Sequence, residues 1–208
     1  MNARMPGRPK DLEKRAAIVD AAQALFSERG VEGVSIEAIA AASGVSKVTV
    51  YSHFPDKAAI FKTMILRETD RLGCLISETT APNGTIEERL NQFGLPLLKM
   101  LSEPCHVALE RTLAIEARRK PEIGQLFYKA GPGKTLELLT DLLIDARARG
   151  EVDFEDPLTP ARDLIALWFG YGLLERKYLS EPDCGKADQL CNQIEHGTLV
   201  FLLAYSGR

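Results

Sequence analysis

Apolar residues recur at helical spacing along almost the whole chain. Between Asp11 and Arg29, the set Leu12, Ile18, Val19, Ala22, Leu25 and Phe26 keeps a period of roughly 3.6 residues, the stripe of an amphipathic helix. Gly30 reads as its C-cap and Val31-Glu32-Gly33-Val34 as a turn. Ser35 is a good N-cap for a short helix over Ile36 to Ala42, with Ile36, Ile39 and Ala40 facing inward. Ala38 stands at N3 instead of an acid, so the capping box is incomplete. Ser43-Gly44 breaks this helix. Ser46 caps another short one that reaches about Ser52, and Phe54-Pro55 ends it because a residue before proline avoids the helical region. Val48-Thr49-Val50-Tyr51 has strand propensity taken alone. The run is short, however, it lies between a cap and a stop, and Val50 falls on the inward face. Asp56 caps a long helix from Lys57 to about Glu78, with Ile60, Met64 and Leu72 among its apolar positions.

After the loop "TTAPNGT" (79–85) the pattern remains helical. Ile86 to Leu101 is one helix and Pro104 to about Lys120 another. Pro121 opens a long segment ending at Gly150, which Gly131-Pro132-Gly133 kinks or interrupts. "EVDFEDPLTP" (151–160) reads as a loop, 161–179 as a strongly apolar helix, "SEPDCG" (180–185) as a loop, and 186–205 as a final helix. The stretches "LIALWFGYGLL" and "GTLVFLLAY" in those last two helices have too few polar positions for surface helices. Burial by the core on one side and by a second copy of the chain on the other accounts for this, with Gly170 and Gly172 allowing close helix approach. Two interior helices of a monomer are the alternative.

Two short helices joined by a tight glycine-containing turn, the second carrying small polar groups, form the pattern of a helix-turn-helix. Charge supports that reading only in its distribution. The formal net charge is −3. Residues 1–62 nevertheless hold nine Lys/Arg against seven Asp/Glu, and the first ten carry Arg4, Arg8 and Lys10 with no acid. A flexible basic arm before a near-neutral helical head is compatible with DNA contact. The start "MNARMPGRPKDLEKR" lacks the apolar core of a secretory signal, and no apolar run approaches the roughly 20 residues that span a bilayer, which points to the cytoplasm. Cys74, Cys105, Cys184 and Cys191 lack metal-ligand spacing and read as reduced buried thiols, with a redox pair Cys184/Cys191 as the alternative. No cofactor and no metal are expected.

In a helix-turn-helix the second helix enters the major groove, its N-terminal end toward the base edges. Lys47, Val48 and Thr49 are placed for bases: Lys47 donates to guanine acceptors or phosphate, the methyls of Val48 and Thr49 meet a thymine methyl, and the Thr49 hydroxyl bonds a base or phosphate. Tyr51, His53, Ser35 and Ser46 suit phosphate, the serines together with their helix N-termini. Arg4, Arg8 and Lys10 suit the minor groove or the backbone. The alternatives are structural: Ser35 and Ser46 as caps alone, His53 as a surface histidine, Tyr51 as packing.

The stretch "AAIVDAAQALFSERGVEGVSIEAIAAASGVSKVTVYSHFPDKAAIF" resembles the tetracycline-repressor (TetR-type) family of bacterial regulators. The resemblance is closest over "IAAASGVSKVTVYSHFPDK". The later stretch "EARRKPEIGQLFYKAGP" resembles more loosely the effector domain of an AefR-like subgroup. The resemblance implies an all-α protein of about nine helices. Residues 1–57 would form the arm and helix-turn-helix DNA-binding domain, and 58–208 a helical ligand-binding and dimerisation domain. It implies a homodimer on a palindromic operator, joined through the last two helices, and a phosphate clamp at Lys57. A valine at position 48, where many members carry a smaller residue, argues against borrowing any relative's operator.

Effector-binding candidates are residues of less common chemistry on helical faces: His106, Glu110, Arg111, Tyr128, Trp168, Phe169 and Tyr171. The aromatic pair favours a hydrophobic or aromatic ligand. The expected lever is the helix from Lys57 to Glu78. An enzyme is the rival from another class, with Glu116 or Glu151 and Asp153 as acid/base groups. Those acids lie in polar runs typical of solvated faces, and no nucleophile elbow or phosphate loop accompanies them. A small-molecule-binding protein with a vestigial head is a further rival, opposed by the intact run from Lys47 to His53.

Overall fold

The computed structural model describes residues 8–79, 83–178 and 187–206. Ten helices carry them: α1 (Arg8–Arg29), α2 (Ile36–Ser43), α3 (Lys47–His53), α4 (Lys57–Thr79), α5 (Ile86–Leu101), α6 (Pro104–Arg119), α7 (Pro121–Ala130), α8 (Pro132–Ala148), α9 (Leu158–Tyr178) and α10 (Ala187–Tyr205). The fold is all-α, as expected. Gly131 interrupts the segment after Pro121 rather than kinking it. A side chain there would press on Thr69 Cγ2 at 3.1 Å, and Pro132 restarts the chain as α8.

The chain divides into two compact units. One comprises the chain up to Glu68 together with Ala108–Gly124, and the other Thr69–Val107 together with Gln125 onward. The first unit has its own core of Ile18, Phe26, Ile39, Val50, Phe54, Ile60, Phe61 and Met64. Phe26 meets Phe61 edge to face at a centroid distance of 5.9 Å. Thr112 of α6 donates to the Phe26 carbonyl at 3.4 Å, which ties the α6 segment into this unit. Leu12, expected on the apolar stripe, lies exposed near the start of α1, and Ile36 is half-buried. The backbone of Arg8 and Lys10 belongs to the first turn of α1 rather than to a flexible arm; Arg4 lies outside the described residues.

In the second unit the core gathers around Trp168, which is fully enclosed. Phe93 of α5 stacks on it at 6.1 Å, and its indole Nε1 donates to Thr198 Oγ1 of α10 at 3.0 Å, so the one polar atom of the ring is satisfied. Within the chain, close approach of backbone to the ring is made by two other glycines. A Cβ on Gly94 would sit 3.0 Å from Trp168 Cε2, and one on Gly197 2.9 Å from Cδ1, so both sites fit only glycine against the ring. Gly170 instead breaks helical geometry inside α9 (φ 23, ψ −127). The Trp168 carbonyl, just before this break, accepts from Gln193 Nε2 at 2.6 Å.

Helix α9 starts before the expected residue 161. Asp156 accepts from the Leu158 and Thr159 amides at 3.2 and 3.0 Å and from the Thr159 hydroxyl at 2.8 Å, an acid at the positive end of a helix. These bonds hold the Asp156 carboxyl below its ordinary range, Thr159 contributing most. Earlier in the same loop, Asp153 N donates to the Tyr205 carbonyl at 2.8 Å beside an isolated bridge between Val152 and Ser206, so the α8–α9 loop and the end of α10 are pinned together. The cysteines depart from the expected burial. Cys74 and Cys105 are exposed and Cys191 is half-buried; Cys184 lies outside the described residues. No described helix is long and apolar enough to cross a membrane.

Candidate nucleic-acid interface

The site is built from α2, its turn and α3. Ser35 N-caps α2, accepting from Ala38 N at 3.1 Å. Gly44 closes the helix in the left-handed region (φ 69), where a side chain would be strained. Val45 N then returns to the Ala40 carbonyl at 3.1 Å. Ser46 starts α3: its Oγ accepts from Thr49 N at 3.1 Å and lies 2.9 Å from the Thr49 hydroxyl. Four residues after the cap, Val50 is fully buried, and Phe54 is buried where the helix ends. These two anchors set the rotation of a seven-residue helix too short to be stable alone.

That rotation decides which side chains face outward. Val48 is 78% exposed and Tyr51 49% exposed, two apolar surfaces on the outward side of α3. Lys47 is exposed beside them, and Thr49 is half-buried under its cap. The Lys47 ammonium makes a short ion pair with Glu37 Oε1 of α2 and lies 5.8 Å from the centroid of the Tyr51 ring. The hydrogen bond and charge of Glu37 raise Lys47 above the ordinary lysine value, and Lys47 in turn lowers the Glu37 carboxyl. Glu37 is a site residue that sequence reading missed. An acid in the first turn of a helix is ordinary, so the sequence carried no local signal for the pair.

Two other candidates point inward. The His53 side chain is only 9% exposed and its Nε2 lies 3.4 Å from Asp11 Oδ1 of α1. Lys57 donates to the Val34 carbonyl at 3.0 Å and the Glu32 carbonyl at 3.4 Å, so it caps the loop between α1 and α2. Arg15, a cation that sequence reading did not single out, stacks over the Phe54 ring at 5.0 Å and donates to Thr63 Oγ1 at 3.4 Å. The side chains of Arg8 and Lys10 lie outside the described set, as does Arg4. Ser35, Ser46, Lys47, Val48, Thr49 and Tyr51 are therefore brought together on α2 and α3, with His53 and Lys57 serving the local framework.

The effector candidates are not gathered in the same way. His106 is buried and Trp168 and Phe169 are core residues of the second unit, whereas Tyr128 and Tyr171 are exposed. Glu110 is half-buried and Arg111 exposed on the α6 segment of the first unit. Tyr171 joins Leu174, Glu175 and Tyr178 along a shallow depression on α9. A separate cavity of about 200 Å³ in the first unit is lined by Val31, Phe61, Ile123, Lys57 and Glu116 among others.

Residues 18–64 match the family described as bacterial regulatory proteins, tetR family, and residues 88–207 match the AefR-like transcriptional repressor C-terminal domain. The chain belongs to the TetR family. The flavonoid-responsive regulator FrrA is 33% identical over 94% of this chain and 98% of its own, with a TM-score of 0.77. A TetR family transcriptional regulator from Pseudomonas syringae pv. tomato is 26% identical over 93% of this chain and 97% of its own, with a TM-score of 0.72. The HTH-type transcriptional repressor KstR of Mycolicibacterium smegmatis is 32% identical over 85 residues, 41% of this chain and 42% of KstR. The matched stretches thus span about two-fifths of the first curated relatives. TetR-family proteins are DNA-binding transcriptional regulators and not an enzyme family, and the TetR match covers α2 and α3 entirely.

Proposed function

We propose that this TetR-family chain is a ligand-responsive repressor. It binds a palindromic operator as a homodimer and leaves it when a small hydrophobic or aromatic effector binds the C-terminal domain. The observation that carries the reading is the outward face of α3. Lys47, Val48 and Tyr51 are exposed together on a helix whose inward face, cap and turn are fully used by the fold. Lys47, Val48 and Thr49 read base edges; Ser35, Ser46 and Tyr51 take phosphates; Arg4, Arg8 and Lys10 add backbone or minor-groove charge. His53 and Lys57 take part chiefly by fixing α3 and the loop before α2.

Dimerisation is supported by an apolar line on the outer side of α9 and α10. Tyr171, Leu174 and Tyr178 follow one another at helical spacing after the break at Gly170, Leu167 is exposed before it, and Leu199 and Leu203 add two more exposed apolar side chains. The effector class is supported by the likeness to a relative named flavonoid-responsive. His106, Tyr128, Phe169 and Tyr171 of the second unit stand as its candidate contacts, whereas Trp168 is taken up by the core and Glu110 and Arg111 belong to the first unit. The ligand acts by binding the DNA-incompetent state better, and α4 transmits the change. Two recognition helices must match about 34–36 Å, one turn of DNA, so a small shift suffices for release.

The test is binding of the purified chain to duplexes selected from a random pool, titrated with salt. Wild type is expected to hold selected DNA tightly with a steep salt slope, and Lys47→Ala, Thr49→Ala and Tyr51→Ala to lose that binding. Equal affinity for selected and scrambled DNA would defeat the reading.

A further inference from the structure

We infer that Glu37 is a specificity-determining residue of the DNA-binding face: by holding the Lys47 ammonium it withdraws that charge from general phosphate binding and reserves it for a base edge. The inference rests on the proposed function and adds a residue to it. Glu37 and Lys47 stand at the first turns of α2 and α3, ten positions apart in sequence, and Glu37 Oε1 accepts directly from Lys47 Nζ.

The pair is not needed to hold the two helices together. Its side chains are 61% and 51% exposed, whereas Gly44, the Val45 return bond, the Ser46 cap and buried Val50 already fix the turn. What the pair adds is a carboxylate beside the cation on the exposed face, where the same ammonium also lies against the Tyr51 ring.

On DNA such a cation has two uses. A lysine free to swing neutralises a phosphate, which adds sequence-independent affinity and releases a counterion. A lysine held beside a carboxylate meets phosphates at a disadvantage, because the carboxylate repels them. At a base edge the pair offers a donor for guanine O6 or N7 beside an acceptor for cytosine N4. Glu37 therefore lowers affinity for DNA in general and raises the ratio between a matched site and any other.

The experiment compares the full-length wild type with Glu37→Gln, Lys47→Gln and the double variant, after checking that helicity is unchanged. Each is titrated by calorimetry and gel shift against a duplex selected by the wild type and a scrambled duplex. Glu37→Gln is expected to bind scrambled DNA about threefold to tenfold tighter, with a salt slope steeper by up to about one. Its preference for the selected duplex should fall by about tenfold, the scale of one good base contact. In the Lys47→Gln background, Glu37→Gln should change affinity for the scrambled duplex by less than about twofold, because the partner is already gone. An equal tightening on both duplexes, or an unchanged effect without Lys47, overturns the inference and leaves Glu37 as bulk charge. A wild type that does not discriminate at all would defeat the proposed function itself, and this is visible before any variant is measured.

Discussion

The recognition helix α3 and the core around Trp168 are held by opposite means. Helix α3 has seven residues and is fixed within a short stretch of chain: Ser46 caps it, Gly44 turns into it, and Val50 and Phe54 anchor it. Trp168 is fixed by residues far away in sequence: Phe93 and Gly94 on α5, Ile194, Gly197 and Thr198 on α10. Local determination leaves an outward face free of structural duty. Nonlocal determination uses every side of the ring.

The comparison can be broken at its deepest point first. Trp168→Ala is expected to destabilise the chain by about 3–5 kcal/mol, the usual cost of emptying a core aromatic site, measured by urea unfolding followed by far-UV circular dichroism. A loss below about 1 kcal/mol would mean that the second unit closes around the gap. Gly197→Ala should cost about 1–3 kcal/mol through overpacking, because its Cβ would meet both the indole and the Leu167 backbone. In α3, Ser46→Ala should cost about 1 kcal/mol, and Ser46→Asp, which keeps an acceptor, should restore most of it. Val48→Ser should leave stability within about 0.5 kcal/mol, since Val48 touches little else in the chain. A larger loss would show that the outward face does carry structure.

The smallest expected effect concerns acid. The Asp156 carboxyl is held below its ordinary value of 3.8, chiefly by the Thr159 hydroxyl. A depressed folded value contributes stability that is present above the unfolded value and disappears as pH falls through the folded one. Asp156→Asn keeps the cap but removes that dependence, so its melting temperature should fall less than that of wild type between pH 5 and pH 2. Parallel curves would mean that the carboxylate charge is immaterial to the start of α9.

How much was legible in the sequence follows the same division. The helix-turn-helix could be read because serine caps, Gly44 and the stop at Phe54-Pro55 act on their neighbours, and Val50 needed only a helical period to be placed inward. The interruption at Gly131 was visible for the same reason. The Glu37–Lys47 pair was not, because it crosses the turn, and neither were the inward turns of His53 toward Asp11 and of Lys57 toward the Val34 carbonyl. In α9 the apolar count was read correctly but its faces were not. The ring rests on Gly94 and Gly197, which no pattern within α9 could reveal. The early start of α9 was missed although Asp156 was present in the loop as a cap.

Trp168 is the chain's single tryptophan, and it sits fully enclosed with its ring nitrogen hydrogen-bonded. Intrinsic indole emission is therefore a private optical reporter of the second unit. It should be blue-shifted in the native protein and move red only when the α5–α9–α10 core admits water. The head, which contains no indole among its described residues, can loosen or dock without changing that signal directly.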